Sequence, residues 1–198
     1  FGKPQQEVLP ADFDNPAFAW ATQGEKLWLQ MEGAERKSCA SCHPGGNEAM
    51  RGKAAIYPKF DAETKSVVAL EQRINQCREK MDTVPWPYTS DAMKAMLAYL
   101  RLQSRNMPIS VEIDANALPT FERGKTLYYT RMGRYGMSCA RCHNERYGAK
   151  INGVTINQGH PSGFPVYSVS TQNIVSLHER LQKCLELMRA EPYAIGSP

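Results

Sequence analysis

Two Cys-x-x-Cys-His pentapeptides, ending at His43 and His143, lie 100 positions apart, and each is followed by one further cysteine, Cys77 or Cys184. The pattern absorbs all six cysteines of the chain. Two thiols at this spacing can close thioether bonds to the vinyl groups of a haem, while the adjacent imidazole ligates the iron. The chemistry predicted is two covalently bound c-type haems, one on Cys39 and Cys42 and one on Cys139 and Cys142, with His43 and His143 as proximal iron ligands. Disulfides, or zinc held by the CxxC pairs, would leave the histidine after each second cysteine without a role.

The sixth iron ligand has two sources. Methionine is the common one, and Met81 and Met188 each stand four residues after a cysteine. The spacing favours Cys77 and Cys184 as axial thiolates, because a haem-facing cysteine left unligated in both places has no explanation. A metal would hold those sulfurs deprotonated. Arg73 precedes Cys77 by four and Arg180 precedes Cys184 by four, so each guanidinium lies about one helical turn, roughly 6 Å of rise, from its sulfur. Such a cation can hold an anionic substrate or pair with a haem propionate.

These groups sit in an internal repeat. GEKLW (24–28) matches GKTLY (124–128) at an offset of 100, which the CxxCH motifs keep. YPKF (57–60) matches FPVY (164–167), and ALEQRINQCREKM (69–81) matches SLHERLQKCLELM (176–188), both at an offset of 107. Seven residues have therefore entered the second copy between His143 and Pro165, in a Gly- and Pro-rich run, GVTINQGHPSGFP, suited to a binding mouth. His160 lies in that run, where a histidine is ordinarily just exposed. His178, two positions before Arg180, belongs to another side of its helix.

The elements that must carry the motifs are helical. Asn15 and Pro16 suit the start of a helix over 15–33, and Thr120 opens its counterpart. Helices are predicted over 66–80 and 173–189, with Val67, Leu70 and Ile74, and Ile174, Leu177, Leu181, Leu185 and Met188, on single faces. A helix over 91–105 closes the first half, and residues 104–119 read as a linker. The second half has no matching final helix, since only fourteen residues follow Cys184. The fold class expected is mainly α: two cytochrome c-like haem domains related by internal repeat, residues 1–106 and 107–198.

Length and composition bound the rest. With 198 residues, 42% hydrophobic and 9% aromatic, the chain suits two small domains whose macrocycles fill part of each core. The formal charge of +4 is 24 Lys+Arg against 20 Asp+Glu; propionates of two haems would add about four negatives, so no nucleic-acid footprint follows. No apolar run approaches a membrane span. Phe1 reads as the start of a processed, exported chain, consistent with a periplasmic location.

Taken together, CxxCH, R-x-x-x-C, CxxCH and R-x-x-x-C followed by MRAEPYAIGSP, with the QGHP-x-G-x-P run at 158–165, closely resembles the dihaem SoxA subunit family of the SoxAX cytochrome complex in bacterial thiosulfate oxidation. The resemblance spans both halves; the absent final helix departs from it. It implies a periplasmic L-cysteine S-thiosulfotransferase that pairs with a monohaem cytochrome, SoxX, as a heterodimer and joins thiosulfate oxidatively to a cysteine of the carrier SoxYZ. By the same resemblance Cys184 is the axial ligand of the second haem and the catalytic sulfur, found in the family as a persulfide. Arg180 holds thiosulfate, while Cys77 and Arg73 serve a structural or electron-transfer haem. A thiosulfate dehydrogenase forming tetrathionate and a plain dihaem electron carrier are the alternatives.

Overall fold

The computed structural model describes residues 15–151 and 153–197; Phe1, read as the start of a processed chain, and Pro198 lie outside them. Asn15 begins α1 (Ala17–Leu29) as expected, its side-chain oxygen accepting the Ala17 N–H at 3.0 Å. The helix ends at Leu29 rather than near Gly33, because Gln30 turns extended and Glu32 bridges Lys37. Gly33 closes that turn at φ +72, and a Cβ on it would sit 2.0 Å from the Met81 carbonyl oxygen. Only glycine lets this loop lie so close.

The first CxxC forms α2 (Cys39–Cys42), followed by α3 (Gly46–Met50) and a 3₁₀ turn, Lys53–Ile56. A hairpin of β1 (Lys59–Asp61) and β2 (Ser66–Val68) leads into α4 (Leu70–Glu79), and α5 (Asp91–Leu102) completes the half. The second half runs α6 (Leu118–Tyr129), α7 (Cys139–His143), β3 (Lys150–Ile151), β4 (Val154–Thr155), a 3₁₀ turn Pro161–Gly163, β5 (Val166–Ser168), β6 (Asn173–Val175) and α8 (Leu177–Leu187). All three hairpins are antiparallel and two-stranded.

The strands correct the sequence reading at 66–68 and 173–175, where helix was expected. Ser-Val-Val and Asn-Ile-Val carry β-branched residues that prefer extended backbone, and the helices begin only after a cap. In α8, Ser176 accepts the Glu179 N–H at 3.2 Å while the Glu179 carboxylate accepts the Ser176 N–H at 2.7 Å. The closing helix of the first half stops at Leu102, short of 105, and is capped by Ser90. Likewise α6 starts at Leu118, before Thr120, because Asp114 caps the preceding turn through the N–H groups of Asn116 and Ala117. The expected linker is a strap against the first half, with the Ser110 N–H donating to the Ala55 carbonyl at 2.9 Å.

The main core lies where α1 crosses α5. A Cβ on Gly24 would meet the Ala95 carbonyl oxygen at 2.1 Å, so glycine sets the closeness of the crossing. Trp28, Met50, Leu70, Ile74, Met93, Met96, Leu97 and Leu100 pack there, each contributing about 1.5–3 kcal/mol relative to exposure. In the second half α6 buries none of its residues, and no helix follows α8 among the described residues. The halves meet at buried Lys94, whose Nζ lies 3.2 Å from Asp91 and 3.8 Å from Glu179. His178 stacks on Tyr88 at 5.3 Å, 3.9 Å from Glu71, facing the first half. No helix among the described residues is long and apolar enough to cross a membrane.

Candidate haem sites

Each CxxCH is a single capped helical turn. Ser38 accepts the Ser41 N–H at 3.1 Å and Ser138 accepts the Arg141 N–H at 3.2 Å, and both serines are buried. The cap fixes the turn, and its i, i+3 spacing puts Cys39 and Cys42 on one side, as it does Cys139 and Cys142.

In the first half, Cys39, Cys42, His43, Arg73, Cys77 and Met81 all line one cavity of about 670 Å³, walled by apolar groups such as Ile74, Met96 and Leu100. Burial and the nearby Cys77 push the Cys39 thiol up to about 11. Burial also raises Cys77, against the pull of Arg73 and Lys80. Both sulfurs are therefore neutral thiols until chemistry at the site removes their protons. Trp28, stacked on His43 at 5.6 Å, is 4% exposed and its Nε1–H has no partner among the described residues. A buried indole donor facing such a cavity calls for an acceptor from the occupant, such as a carboxylate. Two thiols, an imidazole, a facing sulfur and an orphaned donor around an apolar cavity fit a c-type haem. Cys77, from α4, and Met81, from the turn after it, both line the cavity that His43 lines.

In the second half, burial raises the Cys184 thiol while Arg180 pulls it down; Cys139 and Cys142 are close enough to push it further up. Cys184 thus lies within electrostatic reach of both thiols of the second CxxCH turn. His143 is held by the seven-residue insertion: its Nδ1 lies 2.7 Å from the Asn157 carbonyl oxygen. A carbonyl can only accept, so Nδ1 carries the proton and Nε2 is left free for iron. Gly159, at φ +73, lies against the ring, where a Cβ would stand 2.9 Å from His143 Cγ. The run read as a binding mouth packs on and bonds His143, a role invisible in sequence because a main-chain oxygen performs it. His160 is exposed.

The arginines differ sharply. Arg73 donates to Asp61 at 3.1 Å, and the Asp61 carboxylate also accepts from Thr64 and Gln76. Burial pushes the Asp61 carboxyl up, but the hydrogen bonds from Arg73, Thr64 and the Glu63 N–H prevail and hold it below the usual range. Arg180 is exposed and, among the described residues, its side chain has no ion-pair or hydrogen-bond partner.

Comparison with known proteins agrees with this chemistry. The SoxA/TsdA cytochrome c domain matches residues 23–109 and 123–198. The L-cysteine S-thiosulfotransferase subunit SoxA of Paracoccus pantotrophus is 41% identical over 187 residues, covering 94% of this chain and 64% of that protein. The SoxA subunit of Rhodovulum sulfidophilum is 37% identical over 188 residues, covering 94% of this chain and 66% of that protein. This chain thus spans slightly less than two thirds of those two relatives. A crystal structure of SoxXA from P. pantotrophus superposes with a TM-score of 0.89 at 41% identity, covering 94% of this chain and 70% of that one. This chain belongs to the SoxA/TsdA cytochrome c domain family, and its cytochrome c domain marks it as a carrier of covalently bound c-type haem.

Proposed function

We propose that this chain oxidatively conjugates thiosulfate to a cysteine of a carrier protein, as the name L-cysteine S-thiosulfotransferase given to its relatives describes. The observation that carries the reading is Arg180, an exposed guanidinium without an acceptor among the described residues, one helical turn from Cys184. A thiosulfate dianion is drawn to that charge and brought beside the sulfur.

Two haems complete the reading, one per half, with residues 1–106 and 107–198 as domains related by internal repeat. The matching register of the hairpins at 59–68 and 166–175 supports it. Cys39, Cys42 and His43 would hold one haem and Cys139, Cys142 and His143 the other, with Cys77 and Cys184 as axial thiolates. When bound, the haem supplies an electron acceptor and an iron that a thiolate can ligate. A sulfur–sulfur bond forms between Cys184 and the outer sulfur of thiosulfate, with loss of two electrons. The carrier thiol, giving up its proton, attacks that outer sulfur, the new bond to Cys184 breaks, and Cys184 leaves as thiolate. The carrier keeps the thiosulfate unit. Arg180 offsets the anionic charge throughout.

The partners in this reading are a monohaem cytochrome, SoxX, in a heterodimer, and the carrier SoxYZ, all in the periplasm. The resemblance to SoxXA supports the first. The test mixes the cytochrome complex with thiosulfate, an electron acceptor and the carrier, then weighs the carrier by mass spectrometry. A thiosulfate adduct that disappears with Cys184→Ala establishes the reaction. Tetrathionate without adduct moves the chain to the dehydrogenases, and neither product refutes both.

A further inference from the structure

The hairpin before each cysteine helix is built alike in the two halves. Lys59, Phe60 and Asp61 pair with Val68, Val67 and Ser66; Val166, Tyr167 and Ser168 pair with Val175, Ile174 and Asn173. Each four-residue turn places its last residue, Lys65 or Gln172, at positive φ. Each arginine is the fourth residue of the helix that follows. Ser168 therefore holds the register place of Asp61, and Arg180 that of Arg73.

The side chains around the two arginines are not alike. Arg73 has the Asp61 carboxylate at 3.1 Å, with the Tyr57 side chain near enough to favour its charge. Gln76 donates to Asp61 at 3.3 Å, and Glu63 pairs with Lys80 nearby. At the corresponding positions stand Ser168 for Asp61, Phe164 for Tyr57, Ser170 for Glu63 and Lys183 for Gln76. Ser168 spends its hydroxyl on Ser170 at 3.0 Å. The carboxylate that pairs with Arg73 is replaced by a hydroxyl, and no acidic residue stands at these corresponding positions around Arg180.

We propose that the second hairpin, through Ser168 in the place of Asp61, determines which half takes the anionic substrate: Asp61 closes Arg73 as an internal ion pair, and Ser168 leaves Arg180 open to an oxyanion of sulfur. The inference rests on the thiosulfate reading above but concerns the anion site, not the transfer. A carboxylate placed beside Arg180 repels an incoming dianion as well as competing for its donors, since like charges juxtaposed at a site cost several-fold to many-fold in affinity.

The test uses the haem-loaded complex and three variants, Ser168→Asp, Ser168→Asn and Asp61→Ser. Arginine modification by phenylglyoxal, mapped by mass spectrometry, reads accessibility without turnover. In the unaltered protein Arg180 labels faster than Arg73, and thiosulfate protects Arg180. Ser168→Asp slows Arg180 labelling and abolishes protection, Ser168→Asn leaves both, and Asp61→Ser exposes Arg73. In turnover, Ser168→Asp raises the KM for thiosulfate by about tenfold or more with haem content unchanged, whereas Ser168→Asn stays near the unaltered value. Equal labelling of Arg73 and Arg180, or thiosulfate protection that survives Ser168→Asp, overturns the proposal. Protection that responds as stated in a complex without turnover supports the anion site and refutes the transferase reading instead.

Discussion

Among the described residues, Arg78 and Glu32 form a well-sheltered ion pair in the first half that has no counterpart in the second. Arg78 Nη1 meets Glu32 Oε2 at 2.7 Å, with side-chain exposures of 7% and 21%. Its Nε–H also donates to the Val84 carbonyl at 3.0 Å, and the guanidinium lies 3.8 Å over the Trp86 ring. By the repeat offsets, Met132 stands for Glu32 and buried Leu185 for Arg78. Arg78→Leu strands the Glu32 charge; removing one partner of a buried pair costs 3–5 kcal/mol, and partial access of Glu32 to water sets the expectation at about 3 kcal/mol. The double change Glu32→Met with Arg78→Leu removes the stranded charge. It should cost only about 1–2 kcal/mol, from the lost Val84 bond and the lost contact with Trp86. The chain's three tryptophans, Trp20, Trp28 and Trp86, all lie in the first half, so tryptophan fluorescence during urea unfolding reads that half. At about 1.5 kcal/mol per M the single variant's midpoint falls by about 2 M and the double variant's by about half of that. A double variant no more stable than Arg78→Leu would refute the reasoning that the cost lies in the stranded charge.

Gly159→Ala should displace the loop from His143, because its Cβ would stand 2.9 Å from Cγ at a φ of +73. We expect about 1–2 kcal/mol of destabilisation and, because a weakened Asn157 bond no longer raises the histidine's basicity as much, a higher potential at a haem held by His143; an unchanged potential in a spectroelectrochemical titration contradicts this. Asp61 has a carboxyl held below its ordinary value, so its contribution is present above the unfolded pKa of about 3.9 and lost as pH falls through the folded value. Asp61→Asn should flatten the acid limb of the first half's stability between about pH 5 and 3, followed by the same fluorescence. Ser176→Ala removes the cap of α8 and should cost about 1–2 kcal/mol, measured as a lowered midpoint in a helix-sensitive circular dichroism melt.

Covalent haem chemistry is legible because it rests on residue type and short spacing: Cys39, Cys42 and His43 lie within one helical turn, and no tertiary fold is needed to bring them together. Helices were legible wherever apolar residues recurred over several turns, as in α5. Strands of two or three residues show no period, and Ser66–Val68 and Asn173–Val175 were read into the helices that follow. The grip on His143 comes from a carbonyl 14 residues away and leaves no side-chain signature. Nothing in the sequence sets Trp28 apart; its burial with no partner for Nε1 among the described residues and its place in the lining tie it to the cavity.

The exchange of Asp61 for Ser168 was present in the repeat, yet it means nothing until the hairpin register puts the carboxylate 3.1 Å from Arg73. The same holds for Glu32 and Arg78, whose counterparts are apolar. In the first half both helix arginines are consumed by carboxylates of the same half. In the second, one arginine has become Leu185 and the other has lost its carboxylate. Since Arg73 and Arg180 share their distance from a cysteine, the R-x-x-x-C pattern cannot distinguish a closed site from an open one. On the reading proposed above, the reactive site arises by subtraction: the cation is common to both halves, and what differs is whether the protein supplies its own anion or leaves that place to a substrate.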